Sequence, residues 1–323
     1  MKTIVLVGSG ELGSRHLQAL ALAEFPATVH VVDPSQAALD LATLRCEQMT
    51  PAHADFAVHY HTSVAELSGD VDLAIIATTS NVRLRVLEQL AQSVTLHNVV
   101  LEKFLFSEVS EYERARELIA EMPGQAWVNC PRRMYPVYQS LKRELPLERP
   151  VAYSVVGPDW GLACNSVHYL DHLAYLTGET LVSTSIDAKT ATAIDSKRSG
   201  YQEFLGEVRG EFSGGSTISL RAGASDTKSL MTIQNPNFTL SVDEIGRSYT
   251  LVNSQTGATE TQEFAVPYQS QLSHVFANDI FERGTCDLPT FAESEALHLA
   301  LLKSFSQLHQ ELGGSKSTPL KIT

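Results

Sequence analysis

Six residues near the start of the chain have the spacing of a loop that binds a pyrophosphate: Gly8-Ser9-Gly10-Glu11-Leu12-Gly13. In a GxGxxG loop the first glycine makes a turn, the second lets the backbone approach the anion, and the third lets a strand and a helix pack closely. The anion then lies on the N-terminus of the following helix, where backbone N–H groups point outward. The spacing alone is a weak signal, because an ordinary glycine turn has it too.

Asp33 strengthens this interpretation, because it ends a second apolar run about 20 residues after Gly13. An acidic residue there binds the hydroxyls of the adenosine ribose, whereas its charge repels the 2′-phosphate of NADP. The residues that follow, Pro34-Ser35-Gln36, provide no cation for such a phosphate. The combination predicts NAD as the cofactor and disfavours NADP; the alternative is a glycine turn beside a capping aspartate.

Two polar segments follow later apolar runs, at the sheet edge where open α/β folds bind ligands. Thr78-Thr79-Ser80-Asn81 is suited either to pass under a nucleotide or to cap a helix. Glu102-Lys103 places a lysine where it could polarise or protonate a carbonyl oxygen, unless it is simply a solvated surface residue. The predicted cofactor-binding residues are Gly8, Gly10, Glu11, Leu12, Gly13, Asp33, Thr78, Thr79, Asn81, Glu102 and Lys103.

Short apolar runs alternate with amphipathic stretches through residues 1–124. The predicted strands are Ile4–Val7, Thr28–Val32, Ala57–Tyr60, Val71–Ala77 and Val99–Leu101, and the predicted helices are 11–23, 36–47, 82–92 and 108–120. Continuous apolar strands separated by helices form a parallel sheet that is covered on both faces. We therefore predict a doubly wound α/β domain, a dinucleotide-binding Rossmann domain, over residues 1–124.

Polar and apolar residues alternate in much of residues 125–323, as half-buried antiparallel strands require. The runs are Thr184–Ile194, Phe204–Phe212, Ser216–Arg221 and Phe238–Val242, and helices are predicted over about 166–177 and 293–312. We expect an α+β domain with a largely antiparallel sheet over residues 125–323.

An ordered set of short motifs then resembles the glucose-fructose oxidoreductase / inositol dehydrogenase / MocA (Gfo/Idh/MocA) family. The set comprises the glycine loop with Arg15-His16, Asp33, Glu102-Lys103, Asn129–Pro136, Ser166–Asp171, Leu176–Gly178, and Cys286–Thr290 followed by Glu293 and His298. The resemblance covers essentially the whole chain. It implies a Rossmann domain, a second domain with an open sheet, dimers or tetramers, and hydride transfer between NAD(P) and a sugar or cyclitol.

Catalytic roles follow from the resemblance for Lys103 and His168, which flank the substrate hydroxyl in the working hypothesis. The chain departs from the family pattern twice, with Phe104 in place of the usual proline and Cys164 in place of the acid four residues before the histidine. Asp171, three residues after His168, could replace that acid or could simply be an N-terminal helix charge.

Four residues are candidates for substrate binding: Arg132, Tyr135, Trp160 and Asn165. Arg132 and its neighbour Arg133 could hold an anionic or nucleotide-linked sugar, or lie on the surface. Trp160 could stack on a sugar face or belong to the core. His53, His59 and His61 lack a carboxylate or cysteine at ligand spacing, so no metal is expected.

Composition excludes several classes of partner. The net charge is −13 with no Lys/Arg-rich run, which disfavours binding to DNA or RNA phosphates. No apolar run approaches the length of a membrane span, and the opening residues lack the cleavage site of a signal peptide. The four cysteines form no CxxC pair, so we expect a protein of the reducing cytoplasm.

These observations predict an NAD(P)-dependent dehydrogenase that acts on a CH–OH group of a sugar, cyclitol or sugar-derived acid. Cys164, in place of the family's acid, leaves a second possibility open, namely a dinucleotide-binding sensor or accessory subunit without dehydrogenase activity. A third possibility is a glycosidase that uses NAD for transient oxidation, a known variation of the same family resemblance.

Overall fold

Buried β-branched strands and covering helices organise the first part of the chain. The computed structural model describes residues 1–145, 147, 150–223, 228–315 and 320–322. Its first compact unit consists of residues 1–131 and 267–294, and its second of residues 132–266 and 295–323. The predicted boundary was a single cut after residue 124; the first unit instead includes the strand at Ala126–Val128 and a segment that returns late in the chain.

The first unit contains a six-stranded parallel sheet with strand order β3-β2-β1-β4-β5-β6. The strands are β1 Lys2–Val7, β2 Ala27–Val32, β3 Phe56–His61, β4 Asp70–Ile76, β5 Thr95–Leu101 and β6 Ala126–Val128. The helices between them are α1 Glu11–Leu20, α2 Gln36–Glu47, α3 Ser80–Ser93 and α4 Val109–Ala120. This confirms the doubly wound α/β fold.

The direction of winding reverses between β1 and β4, and this position determines where a ligand can bind. Open α/β sheets bind ligands at such a switch point, beyond the carboxyl ends of the strands. The central strands are apolar and fully buried, including Leu6 and Ile75, and each such side chain contributes roughly 1.5–3 kcal/mol. The rigid strand ends therefore place the glycine loop beside the segment that follows β4.

The returning segment packs on the first helix of the same unit. A 3-10 turn at Gln269–Gln271 and a helix at Ser273–Arg283 both contact α1. Phe281 packs edge-to-face on Phe25, with ring centroids 5.0 Å apart. The sequence patterns did not predict this helix, because its apolar face matches a surface that forms only after the parallel sheet is assembled.

The second unit is built on a nine-stranded sheet. Its elements before the returning segment are α5 Pro136–Glu144, β7 Ala152–Gly157, α6 Leu162–Thr177, β8 Leu181–Ile186, β9 Thr192–Asp195, β10 Gln202–Phe212, β11 Thr217–Ala222, β12 Leu230–Gln234, β13 Phe238–Asp243, β14 Ser248–Asn253 and β15 Thr259–Glu263. The helix at Ser273–Arg283 is α7, and the last helix, α8, is Phe291–Glu311. The strand order is β15-β14-β13-β12-β7-β11-β10-β8, with β9 on β10.

All neighbours in this sheet are antiparallel except β7 and β11, which confirms the largely antiparallel sheet. Alternation follows the sequence pattern: Val208 and Leu220 are buried, whereas Arg209 and Arg221 are exposed. Helix α6 packs on β10 and β11. Among the described residues, no helix is both long enough and apolar enough to cross a membrane.

Two local predictions are corrected, and one helix is added to those that the sequence predicts. The run Thr184–Ile194 forms two strands, because the Asp187 carbonyl accepts the N–H groups of Thr190 and Ala191 in a turn. The helix expected from residue 166 begins at Leu162, and α5 was not predicted at all. Pro136 opens α5 at its first turn, where the missing N–H of proline costs nothing.

Candidate functional site

The three glycines of the loop after β1 have three distinct local geometries. Gly8 has φ +89°, and a Cβ there would lie 3.0 Å from the backbone of Ala77 and Thr78. A Cβ on Gly13 would lie 1.8 Å from the carbonyl oxygen of Gly8, whereas one on Gly10 would meet no atom within 4 Å. The turn, the open approach and the close packing thus match the roles predicted for a GxGxxG loop.

Polar atoms around this loop fit a dinucleotide. Within the described part of the chain, the buried hydroxyls of Ser9 and Thr78 have no hydrogen-bond partner. Gly10, at the N-terminus of α1, offers open space and backbone N–H groups. Unsatisfied buried hydroxyls are costly, so a ligand oxygen or water is the expected partner. The residues present therefore fit the pyrophosphate of NAD.

The other predicted contacts around the loop are more peripheral. Thr79 is the N-cap residue of α3, but its hydroxyl makes no capping bond and donates to Asn81 (2.7 Å). The Glu11 carboxylate pairs with Arg45 at 2.6 Å, and Leu12 is 39% exposed. Glu11 and Leu12 therefore present backbone rather than side chain to the loop.

The Asp33 carboxylate is held by two backbone amides. Its Oδ2 accepts the N–H of Ser9 at 2.8 Å, and its Oδ1 accepts the N–H of Ser35 at 2.9 Å. The carboxylate thus joins the glycine loop to the start of α2. It is half-buried, so it remains accessible to ribose hydroxyls.

Lys103 lies at the carboxyl end of β5, between two anchored positions. Glu102 is 3% exposed and accepts a hydrogen bond from His16 Nε2 at 2.9 Å and another from Asn129. On the other side, the buried guanidinium of Arg83 donates to the carbonyls of Phe104 and Leu105. It also donates to the carbonyl of Thr78, so one side chain joins the loops after β4 and β5. Lys103 is half-buried.

In the second unit, α6 carries His168 half-buried, one turn after Cys164. The first turn of α6 contains no acidic residue. Its backbone N–H groups instead donate hydrogen bonds to a carboxylate from β10. Glu203 accepts the N–H of Ala163 at 2.7 Å and that of Cys164 at 3.0 Å. A long-range cap therefore orients the start of the helix that carries His168.

Asp171 is buried in an ion pair with Arg133. The guanidinium donates three hydrogen bonds to the carboxylate, at 2.7–3.0 Å. Both groups belong to the second unit, and Asp171 is fully buried. These contacts indicate a structural ion pair, and a role of Asp171 as a substitute acid for His168 stays a prediction.

The Arg132 guanidinium is also paired within the second unit. It donates to both carboxylate oxygens of Glu244, at 3.0 and 2.7 Å, and lies 4.3 Å from the ring centre of Tyr169. Burial alone would raise the pKa of Glu244, but the charge and hydrogen bonds of Arg132 hold it below its usual value. Both arginines are paired with carboxylates of their own unit, and the expectation that they hold an anionic or nucleotide-linked substrate stays a prediction.

The remaining substrate-binding candidates are Trp160, Asn165 and Tyr135, and they make different contacts. Trp160 packs edge-to-face on Tyr169, with centroids 5.3 Å apart, and donates its indole N–H to the Arg221 carbonyl at 3.0 Å. The Asn165 amide donates to the carbonyl of Trp160 at 2.7 Å. Tyr135 lies farther along, stacked on Tyr138 at 5.9 Å.

A histidine cluster lies on β2 and β3, with one member that was not predicted. His30 contacts His61 through their ring nitrogens at 2.9 Å and stacks on His59. His53 is separate, and its ring nitrogen accepts the N–H of Asp55. In the described ranges, no group of three or more potential ligand residues could hold a metal ion.

Residues 2–130 match the GFO_IDH_MocA family model, described as an oxidoreductase family with an NAD-binding Rossmann fold. The matched residues all lie in the first unit. The match confirms the predicted NAD-binding domain and the predicted oxidoreductase class. Comparison with curated protein sequences found no match.

Solved structures with a similar fold cover almost the whole chain. UDP-N-acetylglucosamine 3-dehydrogenase GnnA from Acidithiobacillus ferrooxidans is 18% identical, with 94% of this chain and 96% of that chain covered and a TM-score of 0.69. Levoglucosan dehydrogenase in complex with NADH and L-sorbose is 16% identical, with coverages of 95% and 97% and a TM-score of 0.71.

Biliverdin reductase from Synechocystis sp. PCC 6803, in complex with biliverdin and NADP+, is also similar. It is 16% identical, with coverages of 95% and 98% and a TM-score of 0.69. Proteins named for such different substrates share the fold, so the fold does not define the substrate of this chain.

Sequence reasoning missed several residues that the family domain and the second unit depend on: Arg83, Asn129, Glu203, Glu244 and Tyr169. The sequence pattern places Arg83 as an ordinary polar residue of an amphipathic helix, although its side chain is only 1% exposed in the structure. Asn129 and Glu244 stand in segments with no chemical spacing motif. A signal was available for Asn129 and Tyr169, because they lie in the Asn129–Pro136 and Ser166–Asp171 stretches of the family resemblance.

Proposed function

We propose that the protein is an NAD-dependent dehydrogenase that moves a hydride between nicotinamide and a CH–OH carbon of a sugar, cyclitol or sugar-derived acid. The observation that carries the proposal is Lys103, held at the carboxyl edge of the NAD-binding sheet between anchored Glu102 and Arg83. The similar fold of two sugar dehydrogenases supports a sugar-like substrate. A homodimer or homotetramer, as the family resemblance implies, is part of the proposal. So is a cytoplasmic location, which the pattern of four separated cysteines indicates.

Each residue has a defined task in this reaction. Bound NAD supplies the hydride acceptor. Gly10 and the N-terminus of α1 bind the pyrophosphate, and Asp33 binds the ribose hydroxyls. Lys103 stabilises the negative charge that develops on the substrate oxygen, and His168 accepts the hydroxyl proton. The carbon loses a hydride to nicotinamide and its hydroxyl oxygen loses a proton to His168, so the alcohol becomes a carbonyl.

The decisive experiment combines purified protein, NAD and a panel of sugars, cyclitols and sugar acids. Formation of reduced nicotinamide, followed by absorbance, would support the proposal. Tight NAD binding with no turnover across the panel would favour a sensor, and release of an aglycone without net reduction would favour a glycosidase. Gly10→Val, which should not bind the cofactor, provides the blank.

A sensor or accessory protein is the second candidate, and one specific observation favours it. Cys164 stands where the family places an acid, and the nearest alternative, Asp171, is held by Arg133. A carboxylate four residues before the histidine would make it a stronger base, and a cysteine at that position supplies no carboxylate. The substrate panel distinguishes this candidate from the dehydrogenase, because a sensor binds NAD without reducing it.

A further inference from the structure

The Glu102 carboxylate lies at the centre of a network that joins separate segments of the first unit. Its Oε1 accepts from His16 Nε2 on α1 and from the Asn129 amide after β6. Its Oε2 accepts the N–H of Lys103 at 3.3 Å. Glu102 is 3% exposed and His16 is fully buried, so water does not compete for these bonds.

The returning segment closes the network on the far side of His16. Ser273, at the start of α7, has its hydroxyl 2.8 Å from His16 Nδ1. The Gln269 amide nitrogen lies 3.3 Å from the same ring nitrogen, and its amide oxygen accepts from Asn129 at 3.0 Å. Both nitrogens of His16 are therefore engaged, which fixes the orientation of the ring.

The groups around Glu102 favour the ionised form of its carboxylate. Burial would raise the pKa of Glu102, but the hydrogen bond and charge of His16, the Asn129 amide and the charge of Arg83 together hold it below its usual value. A buried anion is expensive unless it is paired and hydrogen-bonded. Such an arrangement is hard to explain by stability alone, because an apolar core would serve as well.

The position of Glu102, between helix α1 and Lys103, suggests what this network does. Helix α1 begins at the glycine loop and carries His16, which is hydrogen-bonded to Glu102. Glu102 in turn immediately precedes Lys103 and accepts its backbone N–H. The helix and these two hydrogen bonds therefore connect the pyrophosphate loop to the lysine. Arg83 holds the two carbonyls that follow Lys103. We propose that Glu102 and His16 are positioning residues, which place Lys103 relative to the dinucleotide loop. This inference rests on the function proposed above.

The first test needs no substrate. Lysines are reductively methylated with carbon-13 formaldehyde, and Lys103→Arg identifies the resonance of Lys103. NADH is then titrated into wild type, Glu102→Gln, His16→Leu and His16→Gln, with NADH fluorescence giving the affinity. The matched control is Glu66→Gln, the same change in the exposed His61–Glu66 pair of this unit.

In wild type, NADH should move the Lys103 resonance. In Glu102→Gln and His16→Leu the movement should shrink at least about twofold, because small displacements of a reactive group have large effects, while the NADH Kd stays within about threefold. His16→Gln should retain the movement, since its amide N–H replaces Nε2–H. Glu66→Gln should behave as wild type. With a substrate from the panel, kcat should fall ~10–100-fold in the two disruptive variants with the KM for NAD unchanged.

The outcomes separate the two proposals. Equal movement in wild type and in both disruptive variants would overturn the positioning role and leave the dehydrogenase proposal intact. A wild-type resonance that ignores bound NADH would overturn the assigned role of Lys103 and this inference with it. If thermal unfolding shows that the buried variants do not fold, half-buried Gln269→Ala replaces them; an unchanged Lys103 response there overturns the inference, and a reduced one supports it.

Discussion

At the scale of single residues, Asp33 serves both the fold and the selection of cofactor. Its two oxygens each accept one backbone N–H, from Ser9 and from Ser35. A carboxylate has about four acceptor positions, so lone pairs remain for ribose hydroxyls. The same negative charge opposes the 2′-phosphate of NADP.

We therefore predict that NAD(H) binds more tightly than NADP(H) by at least ~1.4 kcal/mol, about tenfold. Asp33→Ala should shrink that gap, because the hydrogen bonds to the diol and the repulsion are lost together. Calorimetry with both cofactors measures it, and Asp40→Ala, an exposed aspartate of α2, is the control. Equal or tighter NADP(H) binding by the wild type would contradict the prediction.

Lys103 and His168 are predicted to act in the transition state rather than in cofactor binding. Lys103→Ala and His168→Ala should each lower kcat by ~10²–10⁴ with little change in NAD affinity. Lys103→Arg separates charge from proton transfer, because arginine keeps the charge but does not release a proton. Turnover that ignores both alanine variants would show that the assigned residues are wrong.

At the scale of elements, the glycine loop separates binding from folding. Gly10 has open space beside it, whereas a Cβ on Gly13 would overlap the Gly8 carbonyl. Gly10→Val should therefore fold with an unfolding temperature close to wild type and lose dinucleotide binding. Gly13→Ala should lower the unfolding temperature itself. Thermal scans with and without NAD give both readouts, and normal NAD binding by Gly10→Val would reduce the loop to a simple turn.

The cap on α6 is a second prediction at this scale. Glu203 is 6% exposed and accepts two N–H groups from the first turn of the helix. Glu203→Ala should destabilise the protein by about 1–3 kcal/mol, because two buried donors lose a charged acceptor. Urea denaturation measures the loss against Glu211→Ala, an exposed glutamate on the same strand. Equal midpoints for the two variants would show that the cap contributes nothing.

At the scale of the whole molecule, a buried histidine makes stability depend on pH. His172 is fully buried, its Nδ1 contacts the Tyr153 hydroxyl at 3.0 Å, and its ring lies 4.1 Å from that of Tyr138. Burial, followed by the positive charge of Arg132, lowers its pKa to about 3. The folded protein therefore keeps His172 neutral while the unfolded chain binds a proton below its ordinary pKa of about 6.5.

The direction of the pH dependence follows from the difference in proton binding between the folded and unfolded states. Between pH ~6 and ~4 the unfolded state binds one more proton at this site, so stability falls as pH falls, by up to ~1.4 kcal/mol per pH unit. His172→Gln should remove that part of the slope while leaving the rest of the acid response. Urea midpoints across this pH range measure the difference. Parallel slopes in the two proteins would show that His172 is not the group responsible.

Local sequence patterns are sufficient to predict the parallel sheet, the glycine loop and the position of Asp33. Those features depend on local rules: strand and helix periodicity, the turn that only glycine makes at Gly8, and the spacing of one βαβ unit. Each can be recognised within a window of a few tens of residues. The antiparallel character of the second sheet follows from alternation in the same way.

The pairing of charged side chains, in contrast, depends on contacts between residues that are far apart in the chain. Arg132 finds Glu244, 112 positions away, and His16 finds Glu102 and Ser273 through contacts that span 86 and 257 positions. From the sequence alone, an arginine such as Arg132 could bind either a substrate anion or a carboxylate of the protein, because a guanidinium binds both with the same geometry. The topology brings a carboxylate to each arginine, and no periodicity within either segment records that pairing.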